Sequence, residues 1–300
     1  MTDSASTRLK ARLFIALQHL IPQLWLSERM HGLARLRWKP LKNLLIQTFA
    51  HLYRIDMRQA LEPDLAAYPH FNAFFTRALK PEARPLDPAP DAILCPVDGA
   101  ISQIGPITQG RLIQAKGRDY GVRELLALEP DEPHPFDGGT FATIYLAPHD
   151  YHRIHMPLAG RLDRMTHVPG RLFSVNATTA TGVPDLFARN ERVVCRFETE
   201  TGPMALILVG AIFVGGIETT WAGQITPPHS GTRLKHWDQT ADGPANPLER
   251  GAEMGRFNLG STVILLFPPG RARWAPALVP GDKVRLGQRL GVIAGADAKP

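Results

Sequence analysis

A proline-rich stretch divides the chain into two parts with different hydrophobic patterns. Residues 81–96 contain five prolines, which remove backbone donors and disfavour helices and central strands. Apolar residues recur at helical spacing before this stretch, and short apolar runs separated by Gly, Pro, Asp and Asn follow it. The sequence therefore predicts an α+β protein: helices over 1–80, a connector over 81–96, and a mainly antiparallel, sandwich-like or barrel-like β body over 97–300.

The N-terminal part is basic as well as amphipathic. Residues 1–54 carry nine Lys/Arg and two Asp/Glu, a net charge of +7, while the rest of the chain has a net charge of −1. Two stripes have helical spacing: Leu13, Ala16, Leu17, Leu20, Ile21 and Leu24, then Leu41, Leu44, Leu45 and Leu52. Such helices are typical of segments that lie on an anionic membrane surface. The alternative is that both stripes pack on the body as an ordinary core face.

This N-terminal part is not expected to cross a membrane. Its longest uncharged run, residues 13–27, has 15 residues and contains Pro22, whereas a span needs about 20 apolar residues. A secretory signal peptide is disfavoured because no small-x-small cleavage site follows. The two cysteines, Cys95 and Cys195, stand far apart, which argues against a disulfide scaffold and favours a reducing compartment.

Strand-like runs dominate the chain after the connector. They cover residues 92–95, 140–146, 193–197, 205–214 and 262–267, and "FNAFFTRALK" before the connector predicts a short helix. The tail over residues 279–293, with closely spaced glycines and alternating apolar residues, looks like a lipoyl-type hairpin.

Three stretches combine reactive side chains with turn residues. They are "CPVDGA" with Asp98, "APHDYHRIHMP" with His149, His152 and His155, and "NLGST" with Ser261. Taken alone, Asp98 before Gly99 is a good turn pair. The His-x-x-His spacing could mark a metal site, but on a strand His152 and His155 would face opposite ways. No metal is therefore expected.

An acid, an imidazole and a hydroxyl together suggest a nucleophilic relay. The carboxylate orients the imidazole, which takes the serine proton so that the oxygen attacks a carbonyl. No Gly-x-Ser-x-Gly elbow is present, so a conventional α/β-hydrolase is disfavoured. Gly260 directly precedes Ser261 and tolerates strained geometry, and its carbonyl is the nearest one that Ser261 could attack.

These residues lie within a longer match to a known family. The chain from about residue 71 to about residue 270 resembles the bacterial phosphatidylserine decarboxylase proenzymes. The resemblance rests on "PVDG", "DYHRIHMP", "FSVN", "LFARNERV", "GPMALILVGA", "ETTWAG", "ITPP" and "EMGRFNLGSTVILLF". The reacting Leu-Gly-Ser-Thr positions show no departure from the family pattern.

The resemblance implies a self-made cofactor. Asp98 and His155 would assist Ser261 in attacking the Gly260 carbonyl, and the resulting ester would split by elimination. Residues 1–260 would become the β subunit, and residues 261–300 the α subunit, headed by a covalent pyruvoyl group (pyruvate) made from Ser261. That group would form a Schiff base with phosphatidylserine and release CO₂ to leave phosphatidylethanolamine. His152, which we expect to be exposed on the strand face opposite His155, would contact the substrate.

The implied partners are phosphatidylserine, an anionic membrane surface and the chain's own two pieces as a heterodimer, with further dimerisation left open. The implied location is peripheral, on the cytoplasmic face of the cell membrane, and no nucleic acid is expected. Two other functions stay open at this point. One is a serine hydrolase that uses Ser261, His155 and Asp98 without self-cleavage, and the other is a non-enzymatic lipoyl-like or lipid-binding module.

Overall fold

The computed structural model describes residues 5–213, 216–229, 234–238 and 247–295. Three helices come first: α1 (Ala5–Leu20), α2 (Gln23–Ala34) and α3 (Lys39–Leu52). Four short ones follow: α4 (Phe71–Phe75), α5 (Val122–Leu126), α6 (Ala177–Gly182) and α7 (Leu186–Arg189). The break between α1 and α2 falls at Pro22, whose ring cannot occupy a helix interior.

The strands of the body are short and all their pairings are antiparallel. They are β1 (Ala92–Leu94), β2 (Gly99–Pro106), β3 (Arg111–Ala115), β4 (Arg118–Gly121), β5 (Thr140–Leu146), β6 (Arg153–His155), β7 (Arg161–Val168), β8 (Arg192–Thr199), β9 (Gly202–Val209), β10 (Ile217–Thr219), β11 (Gly223–Gln224), β12 (Lys235–Asp238), β13 (Glu253–Phe257), β14 (Ser261–Phe267), β15 (Ala272–Trp274), β16 (Lys283–Val284) and β17 (Arg289–Ile293).

One large sheet organises the body. Its eight strands run in the order β12-β7-β8-β9-β14-β5-β2-β16, and smaller sheets β11-β10-β13-β6, β1-β17-β15 and β3-β4 accompany it. Alternate residues of β14 enter two different cores: Val263 and Leu265 enter one, and Ile264 and Leu266 the other. Both faces of the sheet are therefore covered, which explains why β14 reads as a continuous apolar run.

The predicted α+β class is confirmed, with helices first and a mainly antiparallel body after them. The strand predicted over 205–214 is shifted: β9 spans Gly202–Val209, and residues 210–213 are not in a strand. Position 214 lies outside the described residues. The hairpin expected in the tail is divided between sheets, because β16 pairs with β2 while β17 pairs with β1 and β15. Both cysteines are buried and free.

The first helices contact the body through polar side chains. The amide of Gln18 donates to Ser174 Oγ and accepts from the Ser174 backbone, and Gln23 accepts from the Leu172 amide. Ile15 packs on the core of the body and Ile46 is fully buried, but many other large apolar side chains of this region point outward. They include Leu13, Leu17, Leu20, Trp25, Trp38, Leu44 and Leu52. For these side chains, the alternative that the helices pack on the body as an ordinary core face is wrong. Within the described ranges, no helix combines the length and hydropathy needed to cross a bilayer.

Candidate active site

The peptide bond between Gly260 and Ser261 lies at the start of the central strand. Ser261 is the first residue of β14 and is in register with Leu146 of β5. Before it, Leu259 has φ +92° and Gly260 has φ +62°. A non-glycine residue in this region costs about 1–3 kcal/mol, so the chain approaches Ser261 in a strained conformation. The side chain of Ser261 lies outside what the structure describes.

A large apolar cavity adjoins this bond. It has a volume of about 520 Å³ and is lined by Leu259 and Gly260 at one end. Helices α2, α3 and α4 contribute one wall, including Ala34, Thr48 and Phe75, and residues 145–148, 174–176 and 211–213 contribute to the other wall. We call it the Gly260 cavity. It is large enough, and apolar enough, for part of a lipid.

Asp98 is buried between the connector and the C-terminal tail. Its carboxylate accepts from Arg84 Nε, at 2.8 and 3.0 Å, from Arg84 Nη2, and from the Leu286 amide at 2.9 Å. The next residue is Gly99, and a Cβ at that position would clash with the carbonyl of Tyr145 on β5. The tight turn thus fixes the carboxylate, and Arg84 supplies its counter-charge.

His155 lies at the end of β6, next to the turn that carries Asp98. Its amide donates to the Pro96 carbonyl at 2.9 Å, and its Nδ1 donates to the Gly251 carbonyl at 2.8 Å. A carbonyl can only accept, so the proton is on Nδ1 and the lone pair is on Nε2, which lies 3.4 Å from the Tyr151 hydroxyl. Burial lowers the pKa of His155. The ring is therefore neutral near pH 7 and can accept a proton through Nε2.

Asp98 and His155 are close but not in direct contact. None of the hydrogen bonds among the described residues joins them, and the Asp98 oxygens bind Arg84 and the Leu286 amide instead. Burial has the largest effect on the pKa of His155, and the Gly251 hydrogen bond and the charge of Glu253 oppose it. The charge of Asp98 also favours the protonated form of His155, but its effect on the pKa is smaller than these. Their coupling in this structure is therefore electrostatic.

His152 is fully buried, so its expected exposure is wrong. The alternation along the strand is as expected, because His152 and Ile154 point into the core while His155 is partly exposed. The His152 ring packs on Phe75, with ring centroids 4.1 Å apart, and Nδ1 donates to the Asp150 carbonyl at 2.8 Å. Burial, helped by the nearby Arg77 charge, lowers the pKa of His152 to about 3. Nε2 has no hydrogen-bond partner among the described residues.

His152 is the histidine nearer to the segment that leads into the Gly260–Ser261 bond. Its carbonyl accepts from the Phe257 amide at 3.0 Å, whereas His155 is opposite Glu253 at the far end of β13. His149 does not contact this segment among the described residues. Its ring is half-exposed, and Nε2 lies 3.5 Å from Asp150 Oδ1. The described part of the chain contains no cluster of three or more His, Cys, Asp or Glu side chains arranged to hold a metal ion.

Four residues of this region were missed by sequence reasoning. Arg84 contacts Asp98, and Tyr151 contacts His155. Asn72 of α4 donates to Asn258 Oδ1 at 2.9 Å, which connects the helix to the segment before Leu259. Tyr151 and Asn258 stand inside the quoted motifs and could have been found there. Arg84 sits among prolines without any pattern, so nothing in the sequence points to its partner.

Buried ionisable groups with shifted pKa values beside a strained backbone bond and a deep cavity are typical of enzyme active sites. The fold and this arrangement place the chain among the enzymes. Comparison with known proteins gives the kind of enzyme. The family profile described as "Phosphatidylserine decarboxylase" matches residues 71–292, and one described as "PSD" matches residues 13–54.

Several proteins named phosphatidylserine decarboxylase proenzyme are similar over nearly the full length. One from Pseudomonas fluorescens is 57% identical over 95% of this chain and 98% of its own. One from Pseudomonas entomophila is 57% identical over 96% of this chain and 100% of its own, and one from Azotobacter vinelandii is 55% identical over 94% and 99%. The chain belongs to the phosphatidylserine decarboxylase family.

Proposed function

We propose that the chain cuts itself between Gly260 and Ser261 and then decarboxylates phosphatidylserine to phosphatidylethanolamine. The observation that carries this is the position of the Gly260–Ser261 bond, which follows two residues with positive φ and adjoins an apolar cavity of about 520 Å³. The similar proteins named phosphatidylserine decarboxylase proenzyme support both parts of the proposal.

In the self-cleavage step the Ser261 hydroxyl attacks the Gly260 carbonyl, so that an ester replaces the amide. His155 accepts the hydroxyl proton through Nε2, for which its neutral state and fixed tautomer suit it. Asp98 stabilises the imidazolium through its negative charge. Loss of the Ser261 α-proton then breaks the ester bond at Cβ, which releases residues 1–260 with a C-terminal carboxylate and leaves dehydroalanine at position 261. Addition of water and loss of the nitrogen as ammonia would convert this residue into the pyruvoyl group at the head of the second chain. Strain at Leu259 favours leaving the uncut state.

The two chains are expected to remain together after the cut. Strand β14 lies in the middle of the large sheet, paired with β5 from Ser261 to Phe267 and with β9 from Thr262 to Leu266. Its side chains enter both hydrophobic cores. The bond that is cut lies at the first residue of this strand, so the break leaves the pairings from Thr262 onward and the core packing in place, and the product is a tightly held heterodimer.

The pyruvoyl group would supply a ketone that takes the substrate amine and accepts electrons as CO₂ leaves. The residues present fit it, since Ser261 begins a rigid strand beside the cavity. Phe75 and the other apolar walls line the same cavity as Gly260 and would limit the access of water to the bond. His152 lies behind Phe75 with Nε2 available as an acceptor, and we assign it to positioning the substrate rather than to cleavage.

The cavity and the exposed apolar helices account for a lipid substrate. Helices α2 and α3 form part of the cavity wall and also carry outward-facing Trp25, Leu44 and Leu52. Such side chains beside Lys and Arg suit the surface of an anionic bilayer. We therefore place the enzyme peripherally on the cytoplasmic face of the cell membrane, with acyl chains entering the Gly260 cavity between these helices.

Intact-mass spectrometry of the purified protein tests the proposal. We expect one chain of 260 residues and one of 40 residues that begins with a pyruvoyl group. The Ser261→Ala variant should stay whole, and only the cut protein should release CO₂ from phosphatidylserine vesicles. A whole wild-type chain that hydrolyses esters would establish the serine-hydrolase alternative. A cut chain that begins with serine would refute the pyruvoyl cofactor.

A further inference from the structure

A second cavity lies on the other side of α4. It has a volume of about 470 Å³ and is lined by Arg35 at the end of α2, by residues of the 61–78 segment, and by Arg153, Glu218 and Arg256 of the β6–β13–β10 sheet. Asn72 and Arg77 line it, whereas Phe71 and Phe75 line the Gly260 cavity. The two cavities are thus separated by α4. We call this one the arginine cavity, after Arg35, Arg77, Arg153 and Arg256.

Arg77 is the unusual member of this cavity. The residue is only 7% exposed, its guanidinium lies over the Phe74 ring at 5.6 Å, and its Nε has no hydrogen-bond partner. Across the described residues, no carboxylate lies within ion-pair distance of it. Burial lowers the pKa of Arg77. A buried cation without a counter-ion is costly, so a ligand that supplies negative charge would be stabilised here.

Two of the other arginines in the wall already have carboxylate partners. Arg153 pairs with Glu253 at 2.7 Å, and Arg256 pairs with Glu253 at 2.9 Å and with Glu218 at 3.8 Å. Glu62 also lines the cavity. None of these carboxylates pairs with Arg77, and the acid that acts on it electrostatically, Asp98, is already paired with Arg84. The end of the cavity next to α4 and α2 is therefore the one that suits an anion.

The α2 side of the cavity adds further positive charge. Arg35 donates to Gln224 Oε1 at 3.4 Å and contacts His31 Nδ1 at 2.9 Å, neither of which is an acid. His70 uses Nδ1 to accept from the Ala73 amide, which leaves Nε2 for another partner. Burial, together with the charges of Arg35 and Arg37, lowers the pKa of His70. Burial lowers the pKa of Arg35, and the charge of Glu218 opposes this larger effect. The wall as a whole has four arginines against the carboxylates of Glu62 and Glu218.

We propose that the arginine cavity binds a phosphate group, carried either by the headgroup of an anionic phospholipid or by a small soluble phosphate. Two guanidinium groups can hold phosphate oxygens bidentately, and the volume leaves room for the glycerol part of a headgroup. Arg35 lies next to the exposed Leu36 and close to the exposed Trp38, so the site is adjacent to the surface that we place on the membrane. It is separate from the Gly260 cavity, and its binding does not depend on the decarboxylation proposed above.

Calorimetric titration of the purified full chain tests this assignment. The probes are inorganic phosphate, glycerol 3-phosphate, and short-chain phosphatidylglycerol and phosphatidylcholine below their micelle concentrations. We expect saturable binding of at least one anionic phosphate probe, and Arg77→Gln should weaken it by about tenfold or more, as expected for a charge-assisted hydrogen bond. Arg273→Gln, the same charge loss on an exposed strand, should change nothing. Binding of inorganic phosphate would identify the soluble ligand, and binding of phosphatidylglycerol alone would identify the lipid headgroup.

Two further variants keep the test decisive if Arg77→Gln fails to fold. Arg77→Lys keeps the charge but loses the two parallel hydrogen bonds that a guanidinium can donate. Arg35→Gln removes a positive charge from a half-buried position. Each substitution should weaken phosphate binding by about threefold or more. Thr48→Trp narrows the Gly260 cavity and should leave phosphate binding unchanged. The proposal is overturned if the wild type binds no anionic probe, if the Arg77 and Arg35 variants bind as the wild type does, or if Thr48→Trp weakens phosphate binding as much as they do.

Discussion

Arg84 and Asp98 form a buried ion pair between the proline-rich connector and the first turn of the β body. Arg84 Nε lies 2.8 Å from Asp98 Oδ1 and 3.0 Å from Oδ2, and the two side chains are only 13% and 8% exposed. The arginine also donates to Gln59 Oε1 at 2.7 Å. The pair thus connects the segment before the prolines to a residue of the proposed relay.

Removing one partner of this pair should be strongly destabilising. Arg84→Gln leaves the Asp98 carboxylate buried and unpaired, and we expect a loss of about 3–5 kcal/mol in the free energy of unfolding. Urea unfolding should be measured in a Ser261→Ala background, so that every variant is a single chain. Arg58→Gln is the matched control, because it breaks an Arg–Asp pair whose arginine is 91% exposed, and it should have little effect. Equal effects of the two substitutions would contradict the structural role of the buried pair.

The buried His152 should make stability depend on pH. Its pKa is about 3 in the folded chain and 6.5 ordinarily, so between these values the unfolded chain binds more protons. Stability is then fully present above about pH 6.5 and falls as the pH drops toward 3, with a loss of about 2 kcal/mol at pH 5.

His152→Asn should remove that dependence, since Asn can still donate to the Asp150 carbonyl but does not titrate. The measurement is urea unfolding at pH 7 and pH 5 in the Ser261→Ala background, with the exposed His51→Asn as control. If the stability difference between the two pH values is the same in His152→Asn as in its parent, His152 is not the group responsible.

His155 should be needed for self-cleavage and His149 should not. A general base is worth about 10²–10⁴-fold in rate, so His155→Ala should slow the appearance of the 40-residue fragment by that factor. His149→Ala removes a half-exposed ring from the same motif and should cleave at the wild-type rate. The readout is a timed denaturing gel of freshly synthesised chain. Wild-type processing of His155→Ala would exclude His155 as the base.

The fold class was predictable because it depends on local patterns. Helical spacing before the prolines and short apolar runs after them indicate α+β without any knowledge of contacts. The divided tail was not predictable: β16 and β17 are adjacent in sequence, but each is completed by a strand from the start of the body. Strand partners that distant depend on packing, which a single sequence does not display.

The site was only partly predictable for the same reason. The motifs identify Asp98, His152 and His155, but their hydrogen bonds come from distant segments. Asp98 accepts from the Leu286 amide, 188 positions away, and His155 donates to a carbonyl 96 positions away. Alternation along a strand predicts that His152 and His155 face opposite ways, but it does not say which face is buried.

Narrowing the Gly260 cavity should slow decarboxylation without stopping cleavage. Thr48 is exposed at the surface of α3 yet lines this cavity, so Thr48→Trp adds bulk without overpacking a core. We expect kcat/KM for long-chain phosphatidylserine to fall by about tenfold, since a bulky group displaces part of an acyl chain. Self-cleavage should be unchanged, so both fragments should have their normal masses. Gln47→Trp, on the neighbouring exposed position, is the control. A Thr48→Trp enzyme with wild-type kcat/KM would show that acyl chains do not enter here.

The basic charge of the N-terminal helices is only partly available to a membrane. Lys42 is buried and donates to the Ala66 carbonyl at 2.9 Å, and Arg35 lines the arginine cavity. A test of membrane docking must therefore use the exposed basic residues. Those suited to it are Arg12, Arg29, Arg37 and Lys39.

Replacing these four residues with Gln should weaken binding to anionic vesicles by about tenfold or more, because each contributes up to about 1 kcal/mol at the surface. Salt should weaken the wild type in the same direction, since surface charges are screened within about 8 Å at physiological ionic strength. The exposed Leu17 and Leu20 add insertion, so Leu17→Gln with Leu20→Gln should weaken binding to neutral and anionic vesicles alike. Co-sedimentation with phosphatidylglycerol and phosphatidylcholine vesicles measures both effects, and all variants should still cleave at Gly260. If neither set of substitutions changes the bound fraction at low or high salt, these helices are not the membrane-docking surface.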